Sequence, residues 1–380
     1  MEHKKNHTKK DKSSRKRVVV KVGSSTLTGG SLRINQAHLL ELVRALVLLR
    51  EEGHEVILVT SGAVAAGREV LDDQDLPKTL GSKQMMASVG QVRLIGMYEN
   101  LFNIFNTKIG QLLLTRADLE NRERYLNARD TLNNLLDNGV LPVINENDAV
   151  SIAEIKVGDN DNLAAITAIL VDADKVILLT DQKGLYDKDP RTNTDAVLLR
   201  RVDRITDEIM ALGGGSSGSM GTGGMHTKLQ AAKKASMAGI ELTIISGQNP
   251  LAILDAVKGQ AEGTVFMPAM STVQAKKLWL SSVTANHGEI VVDDGAREAL
   301  VKRGSSLLPS GVKEVKGSFL RGSIVAIVDL RHEVLARGIS RYSNEDIEKI
   351  KGLKSDKIEE VLGFSHGSVI VHRDDLSLEF

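Results

Sequence analysis

Six short apolar runs recur along the first two thirds of the chain, and each exits into polar or glycine residues. They are RVVVKV (17–22), EVILVT (55–60), GQLLLT (110–115), LPVIN (141–145), KVILLT (175–180) and ELTIIS (241–246). Several are rich in Val and Ile without polar alternation, the pattern of strands covered on both faces. Between them lie stretches with helical spacing, such as AHLLELVRALVLLREEG (37–53), closed by Gly53. NLAAITAILVDA and KLQAAKKASMAG likewise lead into strands. The alternation predicts an α/β fold with a largely parallel sheet and helices on both faces. Near residues 262–286 the rhythm breaks, which reads as a linker or domain seam. Beyond it, glycine-punctuated runs such as SIVAIVDL and EVLARGISRY predict a small β-rich domain.

Composition narrows this picture. A chain of 380 residues suggests two domains. Its 49 basic and 49 acidic residues cancel, which weighs against a protein devoted to non-specific nucleic-acid binding. Cysteine is absent, so disulfides, zinc–cysteine sites and thiol nucleophiles are excluded. The nine histidines are scattered, with no H-E-x-x-H pair, and no protein-held metal is expected. No apolar stretch approaches the roughly 20 residues of a membrane span. The basic start, residues 1–16, reads as a solvated, disordered tail, and the expected location is cytoplasmic.

In open α/β sheets, ligands bind outside the carboxyl ends of the strands. Gly23-Ser24-Ser25, Ser61-Gly62, Glu146-Asn147-Asp148 and Asp181 all follow strand-like runs and should share that edge. Lys21 lies inside an apolar strand, where an ammonium normally needs an anionic partner; snorkelling at a strand end is the alternative. Ser61 precedes an Ala-rich helix and is either an N-cap or part of an anion site. The segment INENDAVSIAEIKVGDNDNLAAI (144–166) carries two clusters of amides and carboxylates. Helix caps and Asx turns would account for each alone. Together they are suited to gripping an α-amino and α-carboxylate group, with Lys156 between them available to a phosphate. Thr180-Asp181 ends the fifth run and opens an ordered loop where a nucleotide could rest. The glycine-rich GGGSSGSMGTGGMHTK (213–228) fits neither the P-loop pattern nor G-x-G-x-x-G. It still brings Lys228 near a helix start. Lys21 and Lys228, on one sheet edge, suit phosphoryl transfer, where the moving charge needs stabilisation from two sides.

The segments VVVKVGSSTLTGG, VTSGAVAAGRE, LLTRAD, RERYLNARDTL, PVINENDAV, EIKVGDNDNL, LLTDQKGLYDKDPR and GTGGMHTKLQAA resemble the bacterial glutamate 5-kinase family in order and spacing. GSSLLPSGV through GISRYS resembles its C-terminal PUA domain. The basic extension before residue 17 departs from the usual family start. The resemblance implies an amino-acid-kinase-like αβα sandwich over residues 17–265, a linker over 266–285, a PUA domain over 286–366 and a tail over 367–380. It also implies ATP-dependent phosphorylation of the L-glutamate γ-carboxylate, the first step of proline synthesis. By motif, Ser61, Asp148 and Asn160 would bind glutamate, with Asp159 beside them. Lys21, Lys156, Thr180, Asp181 and the loop Thr222, Gly223, Gly224, Met225, His226, Thr227 and Lys228 would hold ATP. Asp161 would organise Lys21 and Lys228. The resemblance further implies Mg²⁺ arriving with ATP, feedback inhibition by proline, product hand-over to glutamate-5-semialdehyde dehydrogenase and a homo-oligomer. An RNA-binding protein is the rival reading, since PUA domains commonly bind RNA.

Overall fold

The computed structural model describes residues 15–72, 76–77, 79–151, 160–214, 224–275 and 288–379. The expected basic tail therefore lies almost wholly outside the described residues. The chain divides into two compact units, one holding residues up to Arg116 with Ala128–Ala269, the other Ala117–Asn127 with Met270–Phe380.

Among the described residues, the first unit is built on eight strands: β1 (Arg17–Val22), β2 (Glu55–Val59), β3 (Ile109–Leu114), β4 (Leu141–Glu146), β5 (Lys175–Thr180), β6 (Arg201–Val202), β7 (Glu241–Ser246) and β8 (Gly263–Phe266). Their order across the sheet is β3-β4-β2-β1-β5-β7-β8-β6. From β3 to β7 every pairing is parallel, as the unbroken apolar runs predict. β8 is the exception: it returns antiparallel to β7, and β6 pairs with it in parallel. The break in rhythm at residue 262 is thus not the end of the sheet. An antiparallel return needs no crossover helix, so the strand–helix cadence stops before the sheet does.

β1 sits in the middle, flanked by β2 and β5. Val18, Val20 and Val22 join the core formed with the helices Gln36–Glu51 and Leu80–Ile104. Side chains alternate along a strand, so Val19 and Lys21 face the opposite way. The helix Asn160–Leu170 packs on that side of β1, and the helix Met225–Met237 packs against it in turn.

The second unit holds a five-stranded sheet, β10-β9-β11-β12-β13, made of β9 (Glu289–Val292), β10 (Val312–Lys316), β11 (Ile324–Val328), β12 (Val334–Ile339) and β13 (Leu376–Leu378). β9 and β11 are parallel and the remaining pairs antiparallel. Ile290, Val292, Val325, Ile327 and Tyr342 fill its core. Leu126, from the Ala117–Asn127 segment, packs with Ile324 and Ile339. The hydrophobic pattern gives no sign that this segment belongs with the second unit.

Candidate active site

Three charged side chains meet on the face of β1 covered by the Asn160–Leu170 helix. Lys21 comes from β1, Asp161 from the first turn of that helix, and Lys228 from the first turn of the Met225–Met237 helix. Lys21 Nζ lies 2.7 Å from Asp161 Oδ1, and Lys228 Nζ lies 3.0 Å from Oδ2. The Thr227 hydroxyl donates to the same Oδ2 at 3.1 Å. Lys21 is 3% exposed, Lys228 5% and Asp161 0%. One carboxylate thus holds two buried ammonium groups. Buried charge is costly unless paired. Two fixed ammonium groups at the carboxyl edge of a parallel sheet stand where such sheets bind ligands.

Asn160 precedes Asp161, and its side chain turns towards other partners. Its Nδ2 donates to the Thr60 carbonyl at 2.9 Å, to Ser61 Oγ at 2.7 Å and to Asn145 Oδ1 at 3.1 Å. Asn145 Oδ1 also accepts the Glu146 backbone N–H at 2.9 Å, so Asn145 must present its Nδ2 elsewhere. That nitrogen donates to Gln91 Oε1 at 2.8 Å. A relay of three amides therefore joins the Leu80–Ile104 helix, the end of β4 and the start of the Asn160–Leu170 helix.

The strand exit at Thr60 is held from behind. Thr60 Oγ1 lies 2.8 Å from the hydroxyl of Tyr98, which is wholly buried. Burial holds the Tyr98 phenol well above the usual tyrosine range, so it stays a neutral donor or acceptor. Gly62 then adopts φ +100°, a conformation natural to glycine, to start the next helix. Beside the relay opens a cavity of about 260 Å³, lined by Ser88, Gln91, Gln111, Asn147 and Asp148 among others.

The expected site residues divide accordingly. Lys21, Asp161, Thr227 and Lys228 form one cluster, Ser61 and Asn160 a second, and Asp148 lines the adjoining cavity. Thr180 and Asp181 stand at the end of β5, beside β1, with the hydroxyl donating to the carboxylate at 2.9 Å. Gly224 caps the helix carrying Lys228, while Met225 and His226 lie in its first turn, His226 beside Gln230. Lys156, Asp159, Thr222 and Gly223 fall outside the described residues. The sequence reading passes over Gln91 and Tyr98 and gives Thr60 and Asn145 no separate role. Their partners lie tens of residues away, and no local motif marks them.

A family model described as the amino acid kinase family matches residues 16–246, and one described as the PUA domain matches residues 288–362. The chain is 55% identical over 359 residues to the glutamate 5-kinase of Photobacterium profundum, covering 94% of this chain and 95% of that one. To the glutamate 5-kinase of Serratia marcescens it is 54% identical over 359 residues, covering 94% and 98%. Among solved structures, the carbamate kinase from Giardia lamblia bound to AMP-PNP aligns with a TM-score of 0.50 at 16% identity. That alignment covers 67% of this chain and 99% of the kinase, a likeness of fold.

Proposed function

Since this chain belongs to the amino acid kinase family and groups with its glutamate 5-kinases, we propose that it phosphorylates the γ-carboxylate of L-glutamate with ATP, opening proline biosynthesis. The observation that carries this reading is the buried Lys21–Asp161–Lys228 cluster at the carboxyl edge of the sheet. A γ-carboxylate oxygen attacks the γ-phosphorus, the bond to the β–γ bridging oxygen breaks, and ADP leaves with that electron pair. A carboxylate with an ordinary pKa of about 4.3 is already ionised at neutral pH, so no general base is required. Alignment and charge stabilisation remain, and two lysines on one fixed carboxylate supply positive charge without reorganising.

In this reading Ser61, Asp148 and Asn160 bind glutamate, with Asp159 near them. Lys21, Lys156, Thr180, Asp181 and the Thr222–Lys228 loop hold ATP, and Mg²⁺ enters bound to its phosphates. Residues 17–265 form the catalytic domain, 266–285 the linker and 286–366 the PUA domain, whose sheet also takes in Leu376–Leu378. Proline inhibition at a site overlapping that of glutamate, hand-over to glutamate-5-semialdehyde dehydrogenase, a homo-oligomer and a cytoplasmic location complete the proposal. No helix among the described residues is long and apolar enough to cross a membrane.

The test is ATP- and glutamate-dependent formation of γ-glutamyl hydroxamate, with hydroxylamine trapping the acyl phosphate. Wild-type protein should form product, falling as proline is added. Lys228→Ala should lose about a hundredfold to a thousandfold in rate, the range for removing one group that stabilises the transition state. Turnover undiminished in that variant would sink the assignment.

A further inference from the structure

The amide relay leaves two polar atoms over, one at each end. Asn160 spends its Nδ2 on Thr60, Ser61 and Asn145, and its Oδ1 is buried with no hydrogen-bond partner among the described residues. Gln91 accepts from Asn145 through Oε1, and its Nε2 is likewise buried and unpartnered among them. The orientations are not interchangeable. Asn145 Oδ1 accepts a backbone N–H, which fixes its amide, and that fixes Gln91 in turn. The relay thus ends in one spare acceptor and one spare donor. A buried polar atom left unsatisfied is costly, so a ligand that satisfies both atoms is favoured.

An α-amino acid has that complement, since its ammonium donates and its α-carboxylate accepts, both from one carbon. Asn160 and Asp161 are adjacent yet turned to different sides, Asp161 to the two lysines and Asn160 to the relay. A substrate whose γ-carboxylate meets the phosphoryl group beside the lysines must place its α end on the relay side. None of the residues lining the 260 Å³ cavity there is Lys or Arg. A neutral amide donor is what the wall offers a carboxylate.

We infer that Gln91 is a specificity-determining residue, whose Nε2–H recognises the α-carboxylate of the amino-acid substrate while Asn160 Oδ1 takes its ammonium. This inference rests on the reading of the site as one that binds glutamate. It explains why a glutamine sits within a helix whose buried positions, Tyr98 apart, are apolar or glycine, among them Met86, Leu94, Met97 and Phe102.

Gln91→Glu tests it with little disturbance. The new carboxylate still accepts from Asn145 Nδ2, and only the spare donor becomes an acceptor. Calorimetry on the full-length protein should compare L-glutamate with its α-amide, which keeps the ammonium and the γ-carboxylate. The expected result is at least a tenfold loss of glutamate affinity, a smaller loss for the α-amide, and unaltered affinity for ATP. Initial rates should show KM for glutamate rising more than kcat falls. Equal weakening of both ligands overturns the inference, because a merely structural role would not distinguish them. If the α-amide binds neither protein, glutamate alone decides: a change of less than threefold overturns it, and a tenfold loss with ATP binding intact supports it. Wild-type protein that binds glutamate without phosphorylating it would remove the kinase reading and leave this inference to the binding data. Wild-type protein that does not bind glutamate overturns both.

Discussion

Asp161 carries a burden that no neutral residue can take over. In Asp161→Asn the two lysines would stand 3% and 5% exposed without their shared counter-charge. Removing one partner of a buried ion pair costs roughly 3–5 kcal/mol. The melting temperature should therefore drop on the order of 10 °C, with kcat lower by at least about a hundredfold. ATP or pyrophosphate should raise the melting temperature of this variant more than that of wild type, because the anion now supplies what the carboxylate did. Thermal scans with and without pyrophosphate decide this, and equal shifts would mean that the lysines do not face the phosphate site. Lys21 is legible in the sequence because an ammonium inside RVVVKV demands an explanation. Asp161 and Asn160 are legible only as members of one polar cluster. Their division of labour depends on which way each side chain leaves the helix start, and neighbouring positions in a sequence do not disclose that. Gln91 and Tyr98 carry no signal of their own, since they gain meaning only through partners on β4 and at the end of β2.

At the scale of elements, the strand exit at Ser61 depends on how closely two helices approach. A Cβ on Gly67 would fall 1.9 Å from the Met86 carbonyl oxygen, and one on Gly90 would fall 1.8 Å from that of Ala63. The helices Ala63–Leu71 and Leu80–Ile104 are in backbone contact there, and Ala63 follows Ser61-Gly62 directly. Gly67→Ala should then destabilise by roughly 2–3 kcal/mol, as overpacking does, and raise KM for glutamate by shifting the Ser61 turn. Gly96 lies in the same long helix, where an added Cβ would meet nothing within 4 Å. Gly96→Ala should stabilise by up to about 1 kcal/mol through helix propensity alone. Urea midpoints moving the same way in both variants would contradict the close crossing. The strands from β1 to β5 and β7 are readable because unbroken Val/Ile runs leave little else possible. The Leu80–Ile104 helix is not, because Met85, Val92 and Ile104 are exposed and blur its apolar face. β8 is hidden for a different reason, its four residues carrying too few positions for any period.

Over the whole molecule the formal charge is +0, and buried ion pairs stand at both edges of the first sheet. At the carboxyl edge Lys21 and Lys228 share Asp161. At the amino edge Glu55 takes Arg17 at 2.6 Å and Arg15 as well, and Lys175 meets Glu241 at 2.6 Å. Lys175 is 2% exposed and also donates to the Ala256 carbonyl. Desolvation by burial lowers its pKa below the ordinary 10.5, outweighing the opposing pull of Glu241. Between that lowered value and 10.5 the unfolded chain binds more protons at this lysine than the folded chain does. Stability from this group must therefore rise with pH across that window. Lys175→Met removes the slope and, by replacing a buried ion with an apolar chain, should be near neutral or stabilising at pH 7. Glu241→Gln leaves the ammonium without its anion and should cost roughly 1–3 kcal/mol, discounted for the partial exposure of Glu241. Urea unfolding at pH 8 and pH 10 separates these expectations, since the stability of wild type relative to Lys175→Met should increase with pH. A relative stability that decreases would mean the ion pair with Glu241 dominates over burial. Phosphorylation rates of both variants at 25 °C should match wild type, because the amino edge lies at the far end of the strands from the lysines that face the phosphoryl group.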